Sequence, residues 1–187
     1  MEVDLTRFES GRLCFGVEAA IRGAIANPAL PLPSSAHLVQ GAKATLAGSY
    51  EESAAYFQSV LEIAWLVASA DGFADEEQHA LALLLEGVTG REVGHDVLEL
   101  HFQDLAQGCE MLGRRERLRR AAEDFGDGVS RGEALGFATL VALADGKLAA
   151  PEYDTLVELG GYLGFPRAQV DGVIDNAVAR LRAELES

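Results

Sequence analysis

The chain has 187 residues, of which 49% are hydrophobic and 7% aromatic, and its formal net charge at neutral pH is −15. This length suits one domain with a single core, and this hydrophobic content excludes an intrinsically disordered chain. The negative charge disfavours nucleic acid and anionic membrane surfaces as partners, and it favours cations or basic partners.

The first fifty residues are predicted to form an N-terminal helical appendage, residues 1–50. Residues 4–26 are amphipathic and predict a helix. The helix must end at Asn27-Pro28-Ala29-Leu30-Pro31-Leu32-Pro33, because three prolines forbid a continuous helix. Ser34 or Ser35 then caps a second predicted helix that runs toward Leu46. The proline-rich stretch is the clearest linker in the sequence.

From residue 51 onward, apolar residues recur at three- and four-residue spacing, which predicts a helical domain over 51–187. The first two helices are expected over 51–70 and from Asp75 to an end between Gly87 and Gly90. Later helices are expected over 91–107, 114–125, 130–144, 151–163 and 166–184. No segment alternates as a strand for long enough to compete. The sequence therefore predicts an all-α, single-domain bundle of about seven to nine helices.

An internal repeat runs through this domain. Asp71-Gly72 and Asp145-Gly146 are 74 residues apart, and matched apolar residues precede each: Ile63, Leu66, Val67 and Ala70 in one copy, and Phe137, Leu140, Val141 and Ala144 in the other. After the loop the displacement is 75 residues, which pairs Leu81 with Leu156 and Glu77 with Glu152. We therefore predict two pseudo-repeated helix–Asp-Gly–helix units.

The second helix of each unit is predicted to be capped differently. Asp75 is placed at the N-cap, with Gln78 three residues later in a capping-box arrangement. Its counterpart Ala150 cannot cap, and Pro151 suits the first helical position. Another oxygen must then cap that helix, and Asp145 is the nearest candidate. The glycine of each Asp-Gly pair supplies a left-handed C-cap.

These residues resemble the TerB (tellurite-resistance) family, in which a helix ending in Ala-Asp-Gly leads through a short loop to an acid-led helix. The two copies read Ala70-Asp71-Gly72-Phe73-Ala74-Asp75-Glu76-Glu77 and Ala144-Asp145-Gly146-Lys147-Leu148-Ala149-Ala150-Pro151-Glu152. The resemblance covers about residues 52–182. It implies an all-helical, non-enzymatic protein of a stress or tellurite-resistance operon, linked to divalent metals and to membrane-associated protein complexes.

A divalent cation is one interpretation of the acidic loops. Asp71, Asp75, Glu76 and Glu77 fall within seven residues, Asp145 and Glu152 form a sparser second set, and Ca²⁺ or Mg²⁺ prefers such oxygens. The spacing is not that of an EF-hand, because Phe73 and Ala82 stand where oxygen ligands are needed. Helix capping with solvated charge is the preferred interpretation, and weak cation binding is the alternative. The sequence requires no cofactor.

A basic segment is the second candidate site, and it contains Arg114, Arg115, Arg117, Arg119 and Arg120. The preferred interpretation is a helix in salt bridges with surrounding acids. The alternative is docking to an acidic protein partner, a second copy of the chain or a phosphorylated head group. Nucleic acid is not expected, because no aromatic stacking residues lie nearby.

Catalytic motifs are missing from the sequence: there is no Walker A loop, GxSxG or GxGxxG. Cys14 and Cys109 form no CxxC pair and are expected to be reduced thiols, which suits the cytoplasm. No signal peptide or apolar run of about 18 residues is present, so we expect no integral membrane segment. Two functions remain open: a stress-linked module that binds a cation and protein partners, or a structural adaptor or homodimer that docks through an apolar groove and the Arg114–Arg120 segment.

Overall fold

A computed structural model of the chain describes residues 3–6, 8, 10–26, 50–89, 95–126 and 128–186. Within these segments lie eight helices: α1 (Ser10–Ala26), α2 (Tyr50–Ala68), α3 (Asp75–Thr89), α4 (His95–Leu112), α5 (Arg114–Glu123), α6 (Gly128–Ala142), α7 (Ala150–Tyr162) and α8 (Arg167–Glu186). The two-residue strands β1 (Val3–Asp4) and β2 (Lys147–Leu148) pair antiparallel. The prediction of an all-α fold is confirmed.

Helices α2 and α6 form the centre of the core and pack extensively against each other. The buried apolar side chains of the two helices are mostly Ala, Val and Leu, and Leu66 and Leu135 are fully buried. Small side chains let the two helix axes approach closely, which maximises dispersion contacts. The remaining helices surround this pair: α1 packs on α3 and α8, α5 on α2 and α7, and α4 mainly on α5.

The described part of the predicted appendage belongs to the same core. Leu5, Leu13 and Ile21 are buried, and the Leu5 N–H donates a hydrogen bond to the carbonyl of Gly146 over 2.6 Å. These described residues pack in the same core as the helices that follow residue 50. Helix α1 begins at Ser10, later than predicted, because residues 3–4 pair with β2. Residues 27–49, with the proline-rich stretch and the second predicted helix, lie outside the described residues.

Helix α4 extends past its predicted end at residue 107 and continues through Gly108 to Leu112. A Cβ atom at Gly108 would lie 3.2 Å from the guanidinium carbon of Arg117. The missing side chain thus lets α5 lie close to α4, and tertiary packing outweighs the low helix propensity of glycine. None of the helices in the described segments is long and apolar enough to cross a membrane.

Candidate functional site

Two corners, each containing an Asp-Gly pair, position the candidate site. Helices α2 and α6 end at Ala68 and Ala142, and a turn follows each before its Asp-Gly pair. Gly72 has a φ of +141° and Gly146 a φ of +89°, a region that favours glycine. The chain leaves the first corner into α3 and the second into β2 and α7.

Glutamates, not aspartates, cap the helices that follow. The Ala74 carbonyl accepts the first hydrogen bond of α3 from Gln78 N–H, and Glu77 Oε2 accepts one from the Ala74 N–H over 2.7 Å. The predicted N-cap at Asp75 is therefore wrong by one residue. Three residues from the N-cap, a long carboxylate side chain can reach back to the N-cap N–H.

The second corner repeats this arrangement. Glu152 Oε2 accepts a hydrogen bond from the Ala149 N–H over 2.7 Å. The N-cap is Ala149, so the predicted N-cap at Ala150 and first-turn position of Pro151 are each shifted by one residue. Asp145 was expected to cap this helix, but its Oδ1 accepts a hydrogen bond from the Lys147 N–H over 2.8 Å, inside its own loop.

Glu77 and Glu152 form a buried carboxyl pair. Glu77 is 3% exposed and Glu152 is 2% exposed, and their side chains interact directly. Glu152 Oε1 is buried without a hydrogen-bond donor. Leaving such an oxygen bare costs about 1–3 kcal/mol, and a proton or a cation held by the pair would offset this cost.

Burial favours the protonated form of both carboxyl groups. Desolvation by burial raises the pKa of Glu77 to about 7, although the Ala74 N–H opposes the shift. Burial raises the pKa of Glu152 to about 9, and the neighbouring Glu77 carboxyl raises it further. Because two buried carboxylates repel each other, the pair takes up and releases protons as a unit.

Asp71 and Asp145 add negative charge to this centre. Their charges raise the pKa of Glu77, and Asp71 also raises that of Glu152. Asp71 is exposed, while Asp145 is half-buried and its own pKa is raised, mainly by burial. The two acidic sets that the sequence placed in separate loops thus act on each other through their charges, and we define Asp71, Glu77, Asp145 and Glu152 as the acidic centre.

Asp75 and Glu76, the other predicted metal-ligating residues, point to the surface. Both are exposed. Asp75 lines a cleft between α3 and α4, and the charge of Glu76 raises the pKa of Asp145. The contact between Glu77 and Glu152 was not foreseen, although the 75-residue displacement had already matched the two residues in sequence.

The acidic centre is not a preassembled metal site. Among the described residues, no three His, Cys, Asp or Glu side chains are grouped to hold a metal ion. Each buried glutamate already uses one oxygen on a backbone N–H. The donor chemistry nevertheless suits a hard cation, because all four side chains carry carboxylate oxygens and Glu152 Oε1 lacks a donor.

Arg114, the first of the basic segment, stabilises the end of α2. Its guanidinium donates hydrogen bonds to the Leu66 carbonyl, to Ser69 Oγ (3.0 Å) and to the Ser69 carbonyl (2.8 Å). It also lies 5.8 Å from the centre of the Trp65 ring. The side chain therefore satisfies carbonyl groups that the helix end leaves free.

The other four arginines form ion pairs within the chain. Arg117 pairs with Glu62 (2.7 Å) and Arg115 with Glu158 (2.5 Å). Arg119 bridges Glu116 and Glu123, and Arg120 pairs with Glu116. These contacts favour the salt-bridge interpretation. Docking through this segment stays a prediction. Two of its side chains are accessible to a partner, since that of Arg115 is 80% exposed and that of Arg120 is 56% exposed.

The cysteines show no sign of activation. Cys14 and Cys109 are free and half-buried. Burial raises the pKa of Cys109, which is opposite to the shift of a reactive thiolate.

Comparisons of the chain with models of known protein families, with curated proteins and with solved structures found no match. The resemblance to the TerB family therefore rests on the doubled Ala-Asp-Gly motif of the sequence and stays a prediction.

Proposed function

We propose that this chain is a non-enzymatic, TerB-like stress-related module whose acidic centre weakly binds a divalent cation, Ca²⁺ or Mg²⁺, and which acts through protein partners. The observation that carries the proposal is Glu152 Oε1, a buried carboxyl oxygen without a hydrogen-bond donor on a side chain that interacts with Glu77. The stress-related role is supported by the doubled motif alone.

Cation and proton compete for the same oxygens. A carboxylate must lose its proton before it binds a cation, so cation affinity rises with pH. Glu77 and Glu152 would hold the ion from inside, and Asp71 and Asp145 would approach it from the corners. The four side chains are not gathered in advance, and their rearrangement costs binding free energy. Affinity is therefore expected in the millimolar range, on the order of 10⁻³ M, as at weak Ca²⁺ sites.

Calorimetric titration of the metal-stripped chain tests this proposal. We expect Ca²⁺ or Mg²⁺ to bind more strongly at pH 8 than at pH 6. At a concentration ten times the dissociation constant, binding should stabilise the fold by about 1.4 kcal/mol. This corresponds to a rise of about 3–5 °C in melting temperature. Absence of both heat and stabilisation at millimolar metal and pH 8 would disprove cation binding.

Two variants make the test specific to the centre. Glu152→Gln removes one buried carboxylate, and we expect it to abolish binding. Asp154→Asn makes the same carboxyl-to-amide change at an exposed position on the same helix and should bind like the original chain. Equal loss in both variants would indicate a general charge effect, and unchanged binding in Glu152→Gln would place the ion elsewhere.

A further inference from the structure

Helix α4 carries large apolar side chains on its outer face. Val97 is 59% exposed, Leu100 is 65% exposed and Met111 is 73% exposed. Their three- and four-residue spacing continues through two polar positions, so that one stripe contains Val97, Leu100, Asp104, Gln107 and Met111. Residues at this spacing share one face of a helix. We name this face the α4 stripe.

The α4 stripe lies away from the contacts that hold the helix in place. Leu98 and Leu105, on another side of α4, are buried, and the helix packs mainly against α5. All five residues of the stripe are exposed. From Val97 to Met111 the stripe is about 21 Å long, given a rise of about 1.5 Å per residue. This length corresponds to about four helical turns of a partner.

Carboxylates lie within the stripe and on its α3 side, whereas the arginines of α5 lie on another side of α4, where Arg117 faces Gly108 and pairs with Glu62. Helices α3 and α4 each contain four Asp or Glu residues and no Lys or Arg. Asp104 lies within the stripe, and Glu99 and Glu110 are exposed beside it. A cleft of about 470 Å³ separates Glu99 from α3, and the exposed carboxylate of Asp75 lies on the α3 side of this cleft. A partner that covers the apolar residues therefore meets carboxylates in the middle and along one edge.

We propose that the α4 stripe is the docking surface for a basic amphipathic helix of a protein partner. The apolar face of that helix covers Val97, Leu100 and Met111, and its Lys or Arg side chains meet Asp104 and Glu99. This is the helix-on-helix mode of peptide recognition, in which apolar anchors supply affinity and charges select the partner. The proposal deepens the proposed function by naming the chemistry of the partner.

A second copy of the chain is a poorer occupant. In a two-fold symmetric dimer, equivalent surfaces face each other. Two α4 stripes packed antiparallel would bring Asp104 against its own copy near the middle of the interface. Two chains that each carry a formal charge of −15 also repel each other at long range.

Fluorescence anisotropy with labelled synthetic peptides tests this proposal on the full chain. The probe is an 18-residue helix with Leu on one face and Lys along its flanks, and the comparator carries Glu in place of Lys. At 0.15 M salt we expect the Lys peptide to bind and the Glu peptide to bind at least tenfold more weakly. Equal binding of the two peptides would overturn the charge argument.

Matched variants decide whether the stripe is the site. Leu100→Gln combined with Met111→Gln should weaken binding of the Lys peptide at least tenfold. Phe15→Ser, which removes another exposed apolar side chain on α1 (66% exposed), should leave it unchanged. Asp104→Asn should weaken binding and reduce its dependence on salt. If Phe15→Ser and the double variant behave alike, binding is non-specific and the proposal fails.

Two further measurements separate this proposal from its alternatives. Light scattering that shows a dimer abolished by the Leu100→Gln and Met111→Gln pair would assign the stripe to a second copy and overturn the basic-partner proposal. Glu152→Gln should leave peptide binding unchanged, because the acidic centre is a different site. In the original chain, peptide binding without cation binding would disprove only the cation proposal, and cation binding without peptide binding would disprove only the docking proposal.

Discussion

Glu152→Gln is expected to flatten the pH dependence of stability, because folding raises the pKa values of Glu77 and Glu152. The unfolded chain releases both protons near pH 4.5, whereas the folded chain keeps them until about pH 7 at Glu77 and about pH 9 at Glu152. The folded state therefore binds more protons in this window. The stabilisation is complete below pH 4.5 and is lost as the pH rises toward these folded-state values.

The size of the effect follows from linkage. One extra proton on the folded state lowers the free energy of unfolding by about 1.4 kcal/mol for each unit of rising pH. Raising the pH from about 6 to about 8 therefore lowers the free energy of unfolding by about 3 kcal/mol. This corresponds to a fall in melting temperature of roughly 6–12 °C for a chain of this size. The amide in Glu152→Gln donates a hydrogen bond to Glu77 without needing a shared proton. At pH 8 we expect the variant to be more stable than the original chain by about 1–3 kcal/mol.

Urea unfolding of metal-free protein at several pH values between 5 and 8 measures this directly. Trp65 is the only tryptophan and is 6% exposed, so its fluorescence reports loss of the core. Asp154→Asn serves as the control and should follow the original chain at every pH. Parallel curves for Glu152→Gln and the original chain would refute the shared-proton interpretation, and so would a variant that is destabilised equally at pH 5 and pH 8.

Two further pairs of substitutions test the corners and the basic segment. Gly146→Ala should destabilise the fold by about 2 kcal/mol or more, because the φ of Gly146 is +89° and the added Cβ would lie 2.7 Å from Leu13 Cδ2. The Cβ added in Gly72→Ala would meet no atom within 4 Å, so this variant should lose less stability in thermal unfolding. Equal losses would show that crowding is unimportant. Arg114→Lys should cost about 1–3 kcal/mol, because lysine cannot reproduce the forked contacts with carbonyls at the end of α2, whereas exposed Arg120→Lys should cost under about 0.5 kcal/mol. Comparable stability of these two variants would contradict the capping role.

Local sequence patterns were sufficient to predict the helices of the domain. Apolar spacing indicates which residues share a buried face, and proline or glycine limits where a helix can extend. The Asp-Gly corners were also visible, since glycine is the residue that accepts a left-handed backbone at little cost. Acids on the same helix accounted for the ion pairs of Arg119 and Arg120, whereas the partners of Arg115 and Arg117, Glu158 and Glu62, are distant in sequence and were not predicted. The errors at helix ends, such as the continuation of α4 through Gly108, arose where packing against a distant residue outweighed local propensity.

The acidic centre depended on tertiary structure. The sequence matched Glu77 with Glu152 as equivalent positions, but equivalence in a repeat does not show that two side chains touch. Periodicity identifies the face on which a residue lies and not what lies opposite it. The length of the side chain determines which carboxylate accepts the hydrogen bond of the N-cap N–H. A glutamate in the first turn is long enough to bend back to this group, whereas Asp145 accepts a hydrogen bond within its own loop. Only the packing of α3 and α7 brings the two capping glutamates together in a buried environment, which favours a proton or a cation held by the pair.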